Sequence, residues 1–190
     1  MTDNEEFHID SKIVNVVVSA DIHADLDLNT ITARIENTEF EPEQFPGLVY
    51  KLEEPKTSTL VFSTGKLICT GAKSVKDAEK AIYIIIDNLR NIGFEINQKP
   101  DLKLQNMVAT AALDVELDLE NLVFELENCE YEPEQFPGLV YRVKIPKVAI
   151  LIFNTGRIVC AGAKSKEDVD NGIKKLVEEL ENIGIDIIDR

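Results

Sequence analysis

Phe40–Tyr50 reads FEPEQFPGLVY and Tyr131–Tyr141 reads YEPEQFPGLVY, so ten of eleven residues return unchanged 91 positions later. The same offset carries Asn15 onto Asn106, Thr64-Gly65 onto Thr155-Gly156, Gly71-Ala72-Lys73-Ser74 onto Gly162-Ala163-Lys164-Ser165, and Gly93 onto Gly184. Residues 12–99 overlay residues 103–190 without a gap, with 38 identities in 88 positions. Chance does not hold one register for so long; a fixed offset of this kind marks a duplicated unit. The chain therefore reads as a short acidic extension over residues 1–11 followed by two copies, 12–99 and 103–190. The junction from Gln98 to Leu102 is almost no linker, so the copies are expected to share a sheet or an extensive interface.

Around the repeat, composition is that of a chain able to bury a core: 190 residues, 44% hydrophobic and 29% charged. The longest apolar runs, such as Val148 to Phe153, fall far short of the roughly 20 residues a membrane helix needs. The start, MTDNEEFHID, lacks the basic flank and apolar stretch of a signal peptide, so a soluble, cytoplasmic protein is expected. Three cysteines without CxxC spacing speak against a disulfide framework or a zinc site. With 20 basic against 35 acidic residues the net charge is −15, which taken alone speaks against nucleic acid as a partner.

Within one copy, β-branched Ile13 to Ala20 reads as a strand. Asp27 to Ile35 places Leu28, Ile31 and Ile35 at helical spacing behind Asp27 as N-cap, and Asp118, Leu119, Leu122 and Leu126 repeat the pattern. Strands are expected over Ile35 to Phe40 and Leu48 to Leu52, with a loop carrying Pro42, Pro46 and Gly47 between them. Thr57 to Ser63 and Leu67 to Thr70 form a hairpin around Thr64-Gly65-Lys66. Ser74-Val75-Lys76-Asp77 and Ser165-Lys166-Glu167-Asp168 resemble capping boxes, each opening a long helix that stops before Gly93 or Gly184. Each copy is thus about five strands and two helices.

Two helices cover only one face of an antiparallel sheet, and a wet second face should alternate apolar with polar residues. These strands do not alternate: Leu60-Val61-Phe62 and Ala149 to Phe153 are apolar on both parities. Periodicity leaves two readings open. The second face packs on a dimer partner or on the other copy, or it stays exposed to receive a ligand, as large apolar patches do.

At EPEQFPGLVY, LVFSTGKLICTGAKS and IFNTGRIVCAGAKS the chain resembles the TATA-box-binding protein family over residues 12–190. The near-symmetric halves, EPEQFPG in both copies and the acidic balance resemble its archaeal branch. The resemblance implies an α+β fold: a two-repeat, pseudo-symmetric saddle with a continuous ten-strand antiparallel sheet, four helices on its convex face and a loop, or stirrup, at each end. It implies that Phe45 with Phe62 and Phe136 with Phe153 act as wedges between base pairs, this family being itself an established case of minor-groove kinking. It places Asn15 and Asn106 against acceptors on the groove floor. Strand parity then puts Val17 and Val108 on the same face, with Val16, Val18 and Met107 toward the helices. Leu60, Ile68 and Thr70 with Leu151, Val159 and Ala161 complete the groove-reading surface. Few donors on such a surface suit A·T pairs, whose minor groove presents acceptors only. Ala161 departs from the family's threonine, so the second copy loses a hydroxyl contact.

The resemblance also resolves the charge conflict. Lys51, Lys66 and Lys73 pair with Arg142, Arg157 and Lys164 at the repeat offset and fall where the family touches phosphate. Acids gather instead on the expected upper helices (Glu167, Asp168, Asp170, Glu178, Glu179, Glu181) and on the stirrups (Glu39, Glu41, Glu43; Glu130, Glu132, Glu134). Net charge sets the long-range field; local clustering decides phosphate contact. In the family, transcription factor B grips the second stirrup, which makes Glu132, Glu134 and Gln135 its candidate contacts and RNA polymerase an indirect partner.

Cys69 and Cys160 have opposite parity to Ile68 and Val159 and read as small core residues, while Cys129 is matched by Thr38. His8 and His23 form no ligand cluster, and nothing pairs a nucleophile with a base or spaces ligands for a metal. No catalysis and no cofactor are expected. The expected function is a general initiation factor that binds and bends the promoter TATA box. The rival is an acidic protein-interaction module that uses the apolar face as a homodimer seam.

Overall fold

The computed structural model describes residues 9–187. The β-branched run becomes β1 (Lys12–Asp21), and Asp27 caps α1 (Leu28–Arg34) by accepting from the amides of Asn29 and Thr30. Then come β2 (Thr38–Glu39), β3 (Leu48–Glu53), β4 (Lys56–Val61), β5 (Lys66–Ala72) and α2 (Val75–Asn91). The second copy repeats the order as β6 (Asp101–Ala112), α3 (Leu119–Glu125), β7 (Cys129–Glu130), β8 (Leu139–Val143), β9 (Val148–Ile152), β10 (Arg157–Ala163) and α4 (Lys166–Asn182). The strands make a ten-stranded antiparallel sheet in the order β2-β3-β4-β5-β1-β6-β10-β9-β8-β7. The expected ten strands and four helices are present.

Three local expectations change. The strand expected over Ile35 to Phe40 shrinks to Thr38–Glu39, because Ile35 is the C-cap of α1 and its amide still donates to Ile31. The β4 strand ends at Val61, so Phe62 sits in the turn, where its amide donates to Lys66 and its carbonyl accepts from Gly65. The capping boxes are half formed: Ser74 and Ser165 accept from the amides of Asp77 and Asp168, but Asp168 turns its carboxylate to the amide of Lys164. His8 lies outside the described residues.

The chain forms two compact units, one of residues 14–106 and one of residues 107–187 with 9–13. In the first, α2 lies on β4 and β5, and Ala78, Ala81, Ile82, Ile85, Ile86 and Leu89 form its buried stripe. Val16, Val18, Leu48, Tyr50, Val61, Leu67 and Cys69 of the strands are buried as well. In the second, α4 packs on β9 and β10 with Val169, Ile173, Leu176, Val177 and Leu180 against Ile150, Ile152, Ile158 and Cys160. Spacing of three and four along both helices makes one continuous apolar stripe, and each large aliphatic side chain so buried contributes about 1.5–3 kcal/mol. The last residues of the acidic extension are tied to α4, where Ser11 donates to Asp170 at 2.9 Å.

Candidate functional site

Burial alternates along the strands even where hydrophobicity does not. On β4, Thr57, Thr59 and Val61 are buried while Ser58, Leu60 and the following Phe62 are half-buried. On β9, Val148, Ile150 and Ile152 are buried while Ala149, Leu151 and the following Phe153 are half-buried. Each unit therefore has a helix-covered face and a second, accessible face that is itself apolar. Asn15, Val17, Leu60, Phe62, Ile68 and Thr70 all lie on the accessible face of the first unit, and Asn106, Val108, Leu151, Phe153, Val159 and Ala161 are half-buried at the corresponding positions. Val16, Val18 and Met107 point the other way and are buried.

Register arranges these residues in rows. Val49, Leu60, Ile68 and Ser19 stand side by side across β3, β4, β5 and β1. Val140, Leu151, Val159 and Thr110 stand side by side across β8, β9, β10 and β6. The next row is Lys51, Ser58 and Thr70 in one unit and Arg142, Ala149 and Ala161 in the other. Sequence reasoning missed Val49, Val140, Ser19, Thr110, Ser58 and Ala149. The alternation of β3 was legible, but only the register reveals which residues flank Leu60 and Leu151.

The four phenylalanines meet in two pairs. Phe45 and Phe62 meet edge to face with centroids 5.9 Å apart and ring planes at 68°, and Phe136 and Phe153 meet at 5.9 Å and 67°. Phe45 is 40% exposed and Phe136 39%, unusual for large apolar rings in a packed chain. Glycine makes the pairing possible. A Cβ on Gly47 would stand 2.6 Å from Phe45 and 3.0 Å from Phe62, and one on Gly138 would stand 2.7 Å from Phe136 and 3.2 Å from Phe153. Each loop folds back just before its ring, with the amides of Gln44 and Phe45 donating to Glu41, and those of Gln135 and Phe136 donating to Glu132. The hairpin turns after Phe62 and Phe153 need Gly65 and Gly156 at positive φ, +86° and +79°. Depressions of about 870 Å³ beside Phe62 and about 580 Å³ beside Phe153 open next to Lys66 and Arg157.

The amide of Asn15 is oriented by the backbone. Its Oδ1 accepts from the amide of Gly71 at 2.8 Å, where the β1–β5 register shifts, so its Nδ2 is left as a donor. That polarity suits an acceptor-lined surface.

All six basic candidates are exposed, but they are not equivalent. Lys51 pairs with Glu39 at 3.2 Å and Arg142 with Glu130 at 3.8 Å, both pairs exposed. Exposed pairs contribute about 0–1 kcal/mol, so exchanging a carboxylate for a phosphate costs little. Lys66 and Arg157 stand at matching hairpin positions, as do Lys73 and Lys164 just before the long helices. Glu132, Glu134 and Gln135 are exposed on the second loop, as are Glu41, Glu43 and Gln44 on the first.

Cys69 and Cys160 are fully buried toward the helices. Burial pushes both thiols up, that of Cys160 to about 11 with Asp168 and Asp170 adding to the effect, which keeps them unreactive at neutral pH. Cys129 donates to the carbonyl of Leu126 as Thr38 donates to that of Ile35. His23 bonds Asp101 at 2.8 Å, and among the described residues no group of three or more His, Cys, Asp or Glu is placed to hold a metal ion. No helix among the described residues is long and apolar enough to cross a membrane.

The model of the family described as transcription factor TFIID (or TATA-binding protein, TBP) matches twice, at residues 10–92 and 101–183. The TATA-box-binding protein of Methanothermobacter thermautotrophicus is 49% identical over 177 residues, covering 93% of this chain and 98% of its own. That of Methanocaldococcus jannaschii is 49% identical over 172 residues, covering 90% and 94%. The solved structure of Methanococcus jannaschii TBP superposes with a TM-score of 0.85 at 49% identity, covering 91% of this chain and 99% of that one. These relatives are transcription factors rather than enzymes. Two family matches in tandem and such identity over nearly the whole length show that the chain belongs to the TATA-box-binding protein family of general transcription factors.

Proposed function

We propose that this protein binds and bends the promoter TATA element through the DNA minor groove and recruits transcription factor B, and through it RNA polymerase. Each repeat, 12–99 and 103–190, serves one half of the site. The observation that carries the reading is the matched aromatic couple that each unit carries beside its own accessible apolar face. A flat ring inserted between base pairs replaces part of the stacking it breaks, and a kinked duplex then covers more protein surface. The rows of Val, Leu and Ile beside the couple in each unit suit a groove floor without amino groups, and Nδ2 of Asn15 donates to its acceptors.

Lys66, Lys73, Arg157 and Lys164, with Lys51 and Arg142 released from their carboxylates, take the phosphates. Glu132, Glu134 and Gln135 take transcription factor B, whose contacting surface is accordingly basic. The protein then works in the cytoplasm, on the nucleoid. A gel shift with a TATA duplex against a G·C-rich duplex tests the reading. Strong preference for TATA is expected. Equal or absent binding by a chain that self-associates would favour the dimer-seam module instead.

A further inference from the structure

The two accessible faces differ in one row. In the first unit, Ser58 stands opposite Thr70 across β4 and β5, and both are half-buried. Neither hydroxyl has a hydrogen-bond partner among the described residues. In the second unit the same row is Ala149 opposite Ala161. An open depression of about 760 Å³ has both alanines, Gly162 and Arg142 in its wall. One unit thus presents two unpaired hydroxyls, and the other presents methyl groups in the wall of an open depression.

Resting on the DNA-binding reading above, we infer that the two repeats read their half-sites by different rules. The Ser58–Thr70 pair selects A·T by hydrogen bonding and crowding, while the Ala149–Ala161 pair admits a minor-groove amino group. An A·T pair shows only acceptors on the groove floor, and a G·C pair adds the guanine 2-amino group, a donor with bulk. Hydroxyls pressed on that floor donate to A·T acceptors and are crowded by the amino group. Alanines make no directed bond, and the missing γ atoms leave the amino group room. Ala149 and Ala161 are therefore specificity-determining residues, and the protein binds with direction wherever one half of its site carries such a group.

The test uses the full chain and a palindromic A·T duplex carrying 2,6-diaminopurine in place of adenine in one half. This base adds the minor-groove amino group and leaves the major-groove edge of adenine unchanged. Orientation is read by energy transfer from one duplex end to a dye on Glu43→Cys, in a Cys129→Thr background that keeps the bond to Leu126. An excess of about tenfold is expected for complexes with the modified half under the second repeat, the usual scale of one unfavourable base pair. Ala149→Ser with Ala161→Thr should erase the excess, as should Ser58→Ala with Thr70→Ala. The unsubstituted row alone decides the matter if these variants misfold. Equal populations of both orientations, with normal binding to the unmodified duplex, would overturn the inference and leave DNA binding standing. No binding to the unmodified duplex would overturn the DNA-binding reading and this inference together.

Discussion

In the first half Phe45 and Phe62 meet at 5.9 Å and 68°, and in the second Phe136 and Phe153 meet at 5.9 Å and 67°; elsewhere the halves have drifted. Thr57, Ser58 and Thr59 of β4 correspond to Val148, Ala149 and Ile150 of β9, so a polar stretch in one copy is apolar in the other. The first half carries Ala33 and Glu54 where the second exposes Phe124 by 88% and Ile145 by 77%. Helix α2 carries as many basic as acidic residues, whereas α4 has Lys166, Lys174 and Lys175 against Glu167, Asp168, Asp170, Glu178, Glu179 and Glu181. The lesson is that geometry common to both halves belongs to the ring pairs, their glycines and the loop that folds back onto them. Charge and apolar exposure are what separate one half from the other.

The largest effect should come from breaking that common geometry. Gly138→Val places its Cβ on Phe136 and pushes the rings apart, and Gly47→Val does the same with a closer approach to Phe45. Each should weaken TATA binding by about 100-fold, a wedge at one base step being worth a few kcal/mol. Fluorescence anisotropy checks this, with circular dichroism to show that the sheet persists. If only one of the two variants lost affinity, the halves would not be equivalent at their wedges.

Asn15→Asp comes next. The carboxylate still accepts from Gly71, so the local fold holds, but the donor Nδ2 is gone and a negative charge faces the groove. A loss of about 10–100-fold is expected, one base contact being worth about 1–3 kcal/mol. An unchanged affinity would show that the amide serves only the β1–β5 irregularity.

The loops sharpen the comparison further. Glu132→Arg with Glu134→Arg should spare binary DNA binding and weaken the ternary complex with transcription factor B by about tenfold, on the scale of close charge pairs across an interface. Glu41→Arg with Glu43→Arg, identical chemistry in the first half, should leave the ternary complex unchanged. Equal loss from both would mean that the partner does not distinguish the loops.

The smallest effect is on stability. Gly172 of α4 stands where α2 has Ala81, and a Cβ there would lie 2.7 Å from Cγ2 of the buried Val148. Gly172→Ala gains about 1 kcal/mol of helix propensity but overpacks by about 2 kcal/mol, for a net loss of about 1 kcal/mol by thermal or denaturant unfolding. Combining it with Val148→Ala should recover most of that loss.

Much of this was legible in the sequence because the duplication supplied its own control. Asn15, Phe45 and Phe62 each recur at one offset, so a single chain shows which residues travel together. Helix starts were readable from Asp27, Asp118, Ser74 and Ser165, since a side-chain cap is a local interaction. What stayed hidden depends on non-local register. The facing of Ser58 with Thr70 and of Ala149 with Ala161 follows from strand pairing. The need for glycine at 47 and 138 follows from rings that arrive from two separate segments. The Lys51–Glu39 and Arg142–Glu130 pairs were hidden for the same reason, because each links β3 or β8 to its short neighbouring edge strand.

The central claim is that exposed ring pairs bend DNA, and end-to-end energy transfer on a doubly labelled TATA duplex measures it most directly. The intact protein should raise transfer sharply on binding, whereas Phe136→Ala with Phe153→Ala should leave the duplex as straight as free DNA while the protein stays folded. Undiminished bending by that double variant would contradict the account.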